Sequence, residues 1–191
     1  MNKKLFYAIA GLVVLIASVY FQSHAGSKLG KVSGVQYDHS IKVAYGQPIK
    51  VIHVVDGDTI VLANGDNLRY IGIDTPEEVD PRKPVQCFAQ EAADYNKQLV
   101  EGQTIKFFKD KTEKDQYGRW LGFVYLEDGT FVNDKLVQDG YAFAYPYKPD
   151  ISKSATFAAG QDQARLANLG LWAACQVSKL SSGREQTNSI K

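Results

Sequence analysis

The chain has 191 residues, of which 45% are hydrophobic and 23% are charged, and its formal net charge is +1. This balance is typical of a globular domain with a hydrophobic core, and it excludes a broadly basic protein that coats nucleic acid. Attraction to phosphate would have to come from a few placed arginines or from a bound metal.

The N-terminus has the pattern of an export signal. Lys3 and Lys4 precede an apolar run over residues 5–21, and a small-x-small cleavage site ends at Ala25. This order predicts a signal peptide over residues 1–25, although the apolar run leaves open an uncleaved membrane anchor. We therefore expect a secreted, periplasmic or cell-surface domain, with a membrane-tethered domain as the alternative.

The segment that follows, residues 26–47, is polar and glycine-spotted and indicates a linker, although Ile41-Lys42-Val43 could add a short strand. Segments rich in β-branched residues or with alternating apolar residues then predict five strands. These strands are Ile49–Val55, Thr59–Leu62, Asn67–Ile73, Thr104–Lys109 and Arg119–Leu126. Apolar residues at helical spacing predict three helices, one through Phe88 to Leu99, one over Val132–Asp139 and one over Ser152–Leu169.

This order of elements predicts the fold class. Five short strands, with one helix inserted between the third and the fourth, indicate a five-stranded OB-type barrel with three helices, an α+β protein that is mainly β. Such barrels commonly bind oligonucleotides or oligosaccharides. We expect the domain to span residues 48–175, and the Ser-, Lys- and Gln-rich residues 176–191 to form a disordered tail.

The two cysteines, Cys87 and Cys175, are an even pair in a chain with an export pattern. Such a pair suggests a disulfide, which would tie the end of the domain to the start of its first helix. The alternative is two small buried residues. The histidines are scattered and offer no cluster of the kind that binds zinc.

Two turns carry the carboxylates that could bind a metal. Asp58 opens the second predicted strand and Asp74 closes the third, so the hairpin places both at the same end of the sheet. Two carboxylates that meet repel each other unless they are protonated or bridged by a cation. A hard divalent ion such as Ca²⁺ or Mg²⁺ would resolve this, with the Thr75 carbonyl and waters completing its shell. Each turn alone could equally be structural.

Arginines and a further acid complete a candidate site for phosphodiester cleavage. That reaction needs a group to activate water, positive charge on the transition state and a metal. Glu77 could activate water, and Arg69 and Arg119 could bind the phosphate. Three tyrosines could stack on bases or bind phosphates, although packing at the core or rim of a barrel explains each of them equally well: Tyr117, Tyr145 and Tyr147.

Taken together and in order, these motifs resemble the staphylococcal nuclease (thermonuclease) family over about Ile49 to Trp172. The motifs that carry the resemblance are Val55-Asp56-Gly57-Asp58-Thr59, Arg69, Asp74-Thr75-Pro76-Glu77, Asp115-Gln116-Tyr117-Gly118-Arg119, Val132-Asn133 and Tyr145-Pro146-Tyr147-Lys148-Pro149. The resemblance implies an OB-type barrel with three helices and a calcium-dependent nuclease that acts on DNA and RNA and leaves 3′-phosphate ends.

The resemblance also implies a role for each site residue. The carboxylates of Asp58 and Asp74 and the carbonyl of Thr75 would hold calcium. Arg69 and Arg119 would hold the phosphate. Glu77 falls on the general base, Tyr117 on a phosphate-contacting tyrosine, and Tyr145 and Tyr147 on the aromatic pair near the base. Gln116 stands where the best-known member has a phosphate-binding lysine, so we expect weaker substrate binding.

Two other classes of function remain open. One is a non-catalytic domain of the same fold that binds nucleic acid or protein, and the other is an oligosaccharide-binding barrel. The nuclease prediction is favoured because every charged residue of the motif set is present and because an oligosaccharide site would not need paired arginines. We expect a monomer.

Overall fold

The computed structural model describes residues 31–32, 35–77 and 84–190. The predicted export signal or membrane anchor over residues 1–25, with the tether at residues 5–21, lies outside them. Within the described ranges, no helix has both the length and the apolar character needed to span a membrane. The described residues before Tyr37 belong to a separate unit, in which Lys31–Val32 and Val35–Gln36 pair as two short antiparallel strands.

The strands, in chain order, are β1 Lys31–Val32, β2 Val35–Gln36, β3 Ile49–Asp56, β4 Thr59–Leu62, β5 Asn67–Tyr70, β6 Ile73–Asp74, β7 Thr104–Phe108, β8 Trp120–Leu126, β9 Phe143–Ala144, β10 Val177–Lys179 and β11 Glu185–Thr187. The helices are α1 Ala89–Val100, α2 Val132–Gln138, α3 Ser154–Leu166 and the short α4 Leu171–Ala174. The five predicted strands and three predicted helices are all present, with shifted ends.

Five strands close into a barrel in the order β3-β4-β5-β8-β7, and β3 pairs with β7 to complete it. All neighbours are antiparallel except β5 and β8, which run parallel. Apolar side chains fill the interior, among them the fully buried Ile60, Leu68 and Phe107. The predicted five-stranded OB-type barrel is therefore confirmed.

The third predicted strand is interrupted rather than continuous. It ends at Tyr70, and Gly72 turns the chain with a φ of +78° before β6 begins. The turn packs tightly on α3, since a Cβ at Gly72 would lie 2.5 Å from the ring of Phe157. As a result β6 leaves the barrel and pairs with β9, which carries Asp74 to the barrel's edge.

A buried asparagine fixes α2 against this turn. Asn133 is fully buried, and its Oδ1 accepts a hydrogen bond of 2.9 Å from Val124 N. Its Nδ2 donates to the carbonyls of Ile71, at 2.9 Å, and Gly122, at 3.3 Å. One amide side chain therefore satisfies three backbone groups at the point where the β5 segment leaves the barrel.

The predicted linker is partly folded onto the barrel. Ile41-Lys42-Val43 forms no strand, but the Tyr45 ring packs against Phe107, with ring centroids 5.1 Å apart, and against Trp120, at 5.4 Å. Burial of an aromatic ring removes a large apolar surface from water and so stabilises the fold. Residues 37–47 of the predicted linker are therefore packed, because the buried Tyr37 and the Tyr45 ring anchor a segment whose average composition is polar.

The prediction of a disordered tail is also wrong for residues 176–190. β10 and β11 pair antiparallel, with Val177 opposite Thr187, and form what we call the C-terminal hairpin. A disulfide joins Cys87 to Cys175 at its start, as predicted. Thr187 is buried and donates a 2.8 Å hydrogen bond to the carbonyl of Cys87. Composition alone suggested disorder, but the covalent tether reduces the entropic cost of ordering this polar segment.

Candidate active site

The turn between β3 and β4 presents Asp58 to the chain segment that follows β6. Asp56 caps this turn, because its Oδ1 accepts a 3.0 Å hydrogen bond from Asp58 N. Gly57 allows a close approach, since a Cβ there would lie 2.7 Å from the Thr75 side chain. The Thr75 N–H and hydroxyl both donate to Oδ2 of Asp58, at 3.0 and 3.2 Å. The sequence thus positions one carboxylate by a tight turn and two hydrogen bonds.

Arg69 joins this carboxylate to the second one. It lies on β5 opposite Thr59, with Nη1 on Oδ1 of Asp58 and Nη2 on Oδ1 of Asp74, the latter at 3.0 Å. Asp58 is 1% exposed and Asp74 is 5% exposed, so both charges are almost fully removed from water. We call them the carboxylate pair. The planar guanidinium fork suits this arrangement because it can contact two acids at once.

The pair carries more negative charge than Arg69 alone can balance. Burial and the neighbouring Asp58 raise the pKa of Asp56 to about 7. Burial, together with the Asp58 charge, also raises the pKa of Asp74 above its ordinary value. The pKa of Arg69 is raised as well, because the three carboxylates outweigh the effect of burial. Additional positive charge relieves this repulsion. Arg184 supplies part of it at Asp74, and a bound cation would supply more.

The donor chemistry of the pair fits a hard divalent cation. Asp58, Asp74 and the main-chain carbonyl of Thr75 offer only oxygen ligands, which suit calcium or magnesium. In the described part of the chain, no group of three or more His, Cys, Asp or Glu side chains is arranged to hold a metal. A cation here would therefore depend on two carboxylates, a carbonyl and water.

The second predicted arginine, Arg119, is oriented by its own turn. Asp115 Oδ2 accepts a 2.7 Å hydrogen bond from Nε of Arg119, and Asp115 Oδ1 accepts from the backbone N–H groups of Tyr117 and Arg119. The carboxylate engages the inner nitrogen of the guanidinium. Within the described residues, the terminal nitrogens of Arg119 make no hydrogen bond, so they could bind a substrate oxygen.

A cleft with a cavity volume of about 450 Å³ brings the two arginines together with the predicted tyrosines. Its charged lining residues are Arg69, Lys114, Asp115, Arg119 and Asp150, and its aromatic ones are Tyr70, Tyr117, Tyr145 and Tyr147. Asp58, Asp74 and Glu77 are not among its lining residues, and the carboxylate pair reaches the cleft through Arg69. The cleft therefore combines positive charge with aromatic surface, and a compact acidic pair adjoins it.

Two of the tyrosines lie on a segment held against the neighbouring loop. Tyr145 and Tyr147 stack with ring centroids 6.3 Å apart, and Tyr147 is 68% exposed. Asp150 fixes the end of this segment by accepting 2.8 Å hydrogen bonds from the backbone N–H groups of Lys111 and Thr112. Although burial opposes it, these hydrogen bonds hold the pKa of Asp150 below its ordinary value.

Glu77 lies two residues beyond Thr75, with its backbone fixed. Its N–H donates a 2.8 Å hydrogen bond to the Gln86 side chain, and its carbonyl accepts a 2.9 Å hydrogen bond from Gln86 N. These bonds hold Glu77 next to Gln86. The Glu77 backbone is therefore constrained at a position two residues after Thr75.

Sequence reasoning missed one charged residue of this site, Arg184. It lies just before β11, and its Nε donates a 2.6 Å hydrogen bond to Oδ2 of Asp74. Its side chain comes from the segment predicted to be disordered. The Cys87–Cys175 bridge was the available signal, because it returns the chain end to the first helix, which follows the Asp74 segment.

Known proteins similar to this chain fall into one group. The family model described as staphylococcal nuclease homologue matches residues 67–174. A thermonuclease of Staphylococcus hyicus is 36% identical over 165 residues, which cover 85% of this chain and 95% of that protein. A thermonuclease of Staphylococcus intermedius is 32% identical over 89% of this chain and 98% of its own length. The endonuclease YncB of Bacillus subtilis is 37% identical over 62% of this chain and 58% of its own length.

Proposed function

The chain belongs to the staphylococcal nuclease family, and we propose that it is an exported, calcium-dependent nuclease that hydrolyses phosphodiester bonds of DNA and RNA. The observation that carries this proposal is the shared cleft of Arg69 and Arg119 beside the carboxylate pair. Positive groups fixed around one cleft suit the transition state of phosphoryl transfer, in which negative charge builds on the phosphate oxygens.

The arginines would act on the phosphate. Arg69 is held by two carboxylates and Arg119 by Asp115, so both guanidinium groups are oriented before substrate arrives. Oriented donors cost no reorganisation during the reaction. Calcium, held by Asp58, Asp74 and the Thr75 carbonyl, would supply a divalent positive charge that neutralises the substrate phosphate.

Glu77 is proposed as the general base. Its carboxylate would accept the proton of the attacking water, whose oxygen then forms the new bond to phosphorus. The bond from phosphorus to the 5′ oxygen would break, the leaving oxygen would take a proton from solvent to become a 5′-hydroxyl, and the phosphate would remain as a 3′-phosphate end. Tyr117 would contact a phosphate, while Tyr145 and Tyr147 would stack on the nucleotide base, as their paired rings and the exposure of Tyr147 allow.

The proposal also covers the export of the protein and the limits of its nuclease domain. The charged and apolar pattern of residues 1–25 supports a signal peptide, with an uncleaved anchor through residues 5–21 as the alternative. The disulfide supports an oxidising compartment, because such bonds persist outside the cytosol. We propose a monomeric nuclease whose domain core is residues 48–175, to which the packed residues 37–47 and the C-terminal hairpin add. Comparing the mass of the exported protein with that of the full chain tests cleavage.

Digestion of DNA and of RNA, in calcium and in chelator, tests the proposed function. We expect both nucleic acids to be cut with calcium and neither to be cut in chelator. The products should be labelled at their 3′ ends only after a phosphatase removes the terminal phosphate. Calcium-independent binding without cleavage would instead indicate the non-catalytic nucleic-acid-binding domain, and failure to bind either polymer would favour an oligosaccharide site.

A further inference from the structure

Arg184 from the C-terminal hairpin contacts the carboxylate pair directly. Its Nε and Nη2 both lie 2.6 Å from Oδ2 of Asp74. The guanidinium carbon also lies 5.6 Å from the centroid of the Tyr145 ring. The Arg184 side chain is 31% exposed, whereas that of Asp74 is 8% exposed. A surface segment therefore delivers one positive charge to a buried acid of the site.

Both oxygens of Asp74 consequently have an arginine partner. Arg69 takes Oδ1 at 3.0 Å and Arg184 takes Oδ2. A divalent cation that binds Asp74 either displaces Arg184 from Oδ2 or binds beside it and is repelled by it. In both cases Arg184 opposes the cation, so its presence must weaken cation binding. Arg69 differs from Arg184 in its attachment, because Arg69 also holds Asp58 and lies on a strand of the barrel.

The position of Arg184 is fixed by anchors on both sides of the hairpin. The neighbouring Glu185 forms an ion pair with Arg165 on α3, with both carboxylate oxygens within 2.9 Å of Nη2. Oε2 of Glu185 also accepts a 3.1 Å hydrogen bond from Nε2 of Gln161. On the other strand, the disulfide at Cys175 holds the chain just before β10. The contact with Asp74 is thus built into the fold of the hairpin.

We propose that Arg184 is a further residue of the cation site, where it holds Asp74 in the cation-free protein and competes with calcium. The C-terminal hairpin thereby sets the calcium concentration at which the site fills. This inference rests on the proposed calcium-dependent function. It assigns Arg184 a positioning role on Asp74 and requires no contact between Arg184 and the reacting phosphate.

Calorimetric titration of calcium into the full chain tests the inference without measuring activity. The variants are Arg184→Gln, which removes the competing charge, and Lys179→Gln, which makes the same charge change at an exposed position on β10. Because partly exposed ion pairs contribute about 1 kcal/mol, we expect Arg184→Gln to bind calcium roughly fivefold more tightly than the wild type. Lys179→Gln should bind as the wild type does.

Three results would overturn the inference while the proposed function stands. Calcium affinity could be unchanged in Arg184→Gln, it could be weaker, or Lys179→Gln could gain as much as Arg184→Gln does. The last result would mean that overall charge, not the contact with Asp74, sets the affinity. Absence of calcium binding by the wild type would overturn the proposed function itself, and the inference with it. Circular dichroism of each variant confirms that it is folded.

Discussion

Arg69 connects the carboxylate pair to the cleft. Its guanidinium contacts both members of the carboxylate pair and also lines the cleft. A cation that neutralised Asp58 and Asp74 would weaken their hold on Arg69 and leave its donors available to a phosphate in the cleft. Binding of cation and of substrate would then be coupled through this one side chain.

Gly57 tests how closely the two turns of the site must approach. In Gly57→Ala the new Cβ would meet three atoms of the Thr75 side chain at 2.7 Å. We expect the turns to separate and calcium affinity to fall, with a loss of stability of about 1–3 kcal/mol from overpacking. Chemical denaturation and calcium titration measure the two effects.

A matched control for this change is Gly129→Ala, at a glycine whose added Cβ would meet nothing within 4 Å. Its φ of +88° means that this variant also carries backbone strain, so it can lose stability. It should keep the calcium affinity of the wild type. Equal calcium affinity in Gly57→Ala and the wild type would argue against a close-packed cation site at these turns.

The catalytic roles proposed for Arg119 and Glu77 predict a loss of rate without a loss of folding. Arg119→Ala removes a donor to the transition state, and Glu77→Ser removes the proton acceptor. We expect each to reduce turnover on the order of 10²-fold or more, as measured by initial rates of DNA cleavage in calcium. Lys106→Ala, at an exposed position on β7, is the control and should cleave at the wild-type rate. Unfolding of either site variant would assign that residue a structural role.

At the scale of elements, the cleft depends on how the segment through Tyr145 and Tyr147 is attached. One end is held by the backbone bond of 2.8 Å from Tyr145 N to the carbonyl of Gly72, and the other by Asp150. The aromatic surface is thus joined to the same Gly72 turn that redirects β6. Backbone geometry, and not only side-chain identity, sets the distance between the tyrosines and the arginines.

Asp150 gives this attachment a pH dependence. The folded-state pKa of Asp150 is lowered, so the stability it contributes is present above about pH 4 and is lost as pH falls through the folded value. At neutral pH we expect Asp150→Asn to lower the unfolding free energy by about 1–2 kcal/mol after allowance for solvent screening. The difference from the wild type should shrink below about pH 4, as measured by urea denaturation across pH.

The comparison for Asp150→Asn is Asp128→Asn, the same change in an exposed turn where Asp128 accepts a hydrogen bond from Thr130 N. We expect Asp128→Asn to reduce stability less than Asp150→Asn does, because Asp128 does not connect its turn to another segment of the chain. If Asp150→Asn is as stable as the wild type at neutral pH, the segment has other attachments that outweigh these two hydrogen bonds.

The sequence permits correct prediction of the five barrel strands and of three helices, and of the approach of Asp58 to Asp74. β-branched runs define the strands, and a hairpin requires that residues at its open end, Asp58 and Asp74, approach each other. It does not reveal the break at Gly72, because a glycine within an apolar run is compatible with a continuous strand. It also leaves open which face Arg69 presents, since apolar residues lie at both parities around it.

At the scale of the whole molecule, the disulfide joins the chain end to the site. Cys87 precedes α1 and Cys175 follows α4, and the loop between them spans 88 residues. The bridge therefore secures both the domain and the C-terminal hairpin that carries Arg184. Composition cannot predict that the hairpin is folded, since the hairpin is polar. Its stability comes from contacts with α3, Cys87 and Asp74, which are distant in sequence.

Reduction of the disulfide should destabilise the protein and loosen the hairpin. From the loop length, the chain-entropy model gives a loss of about 4.6 kcal/mol. We expect a lower denaturation midpoint in reductant and faster proteolysis within residues 176–190, with the products identified by mass. The double variant Cys87→Ser and Cys175→Ser should have this lower stability without reductant and should not respond to it. An unchanged midpoint after complete reduction would show that non-covalent contacts suffice.

The most direct test of the account is the calcium dependence of DNA cleavage by the wild type and by Asp58→Asn, both shown to be folded. We expect no cleavage by the wild type in chelator and full recovery on addition of calcium. Asp58→Asn, which removes one charge of the carboxylate pair, should cleave on the order of 10²-fold more slowly at the same calcium concentration. Cleavage by the wild type in chelator, or equal rates for the two proteins in calcium, would contradict a calcium-dependent nuclease built on this pair.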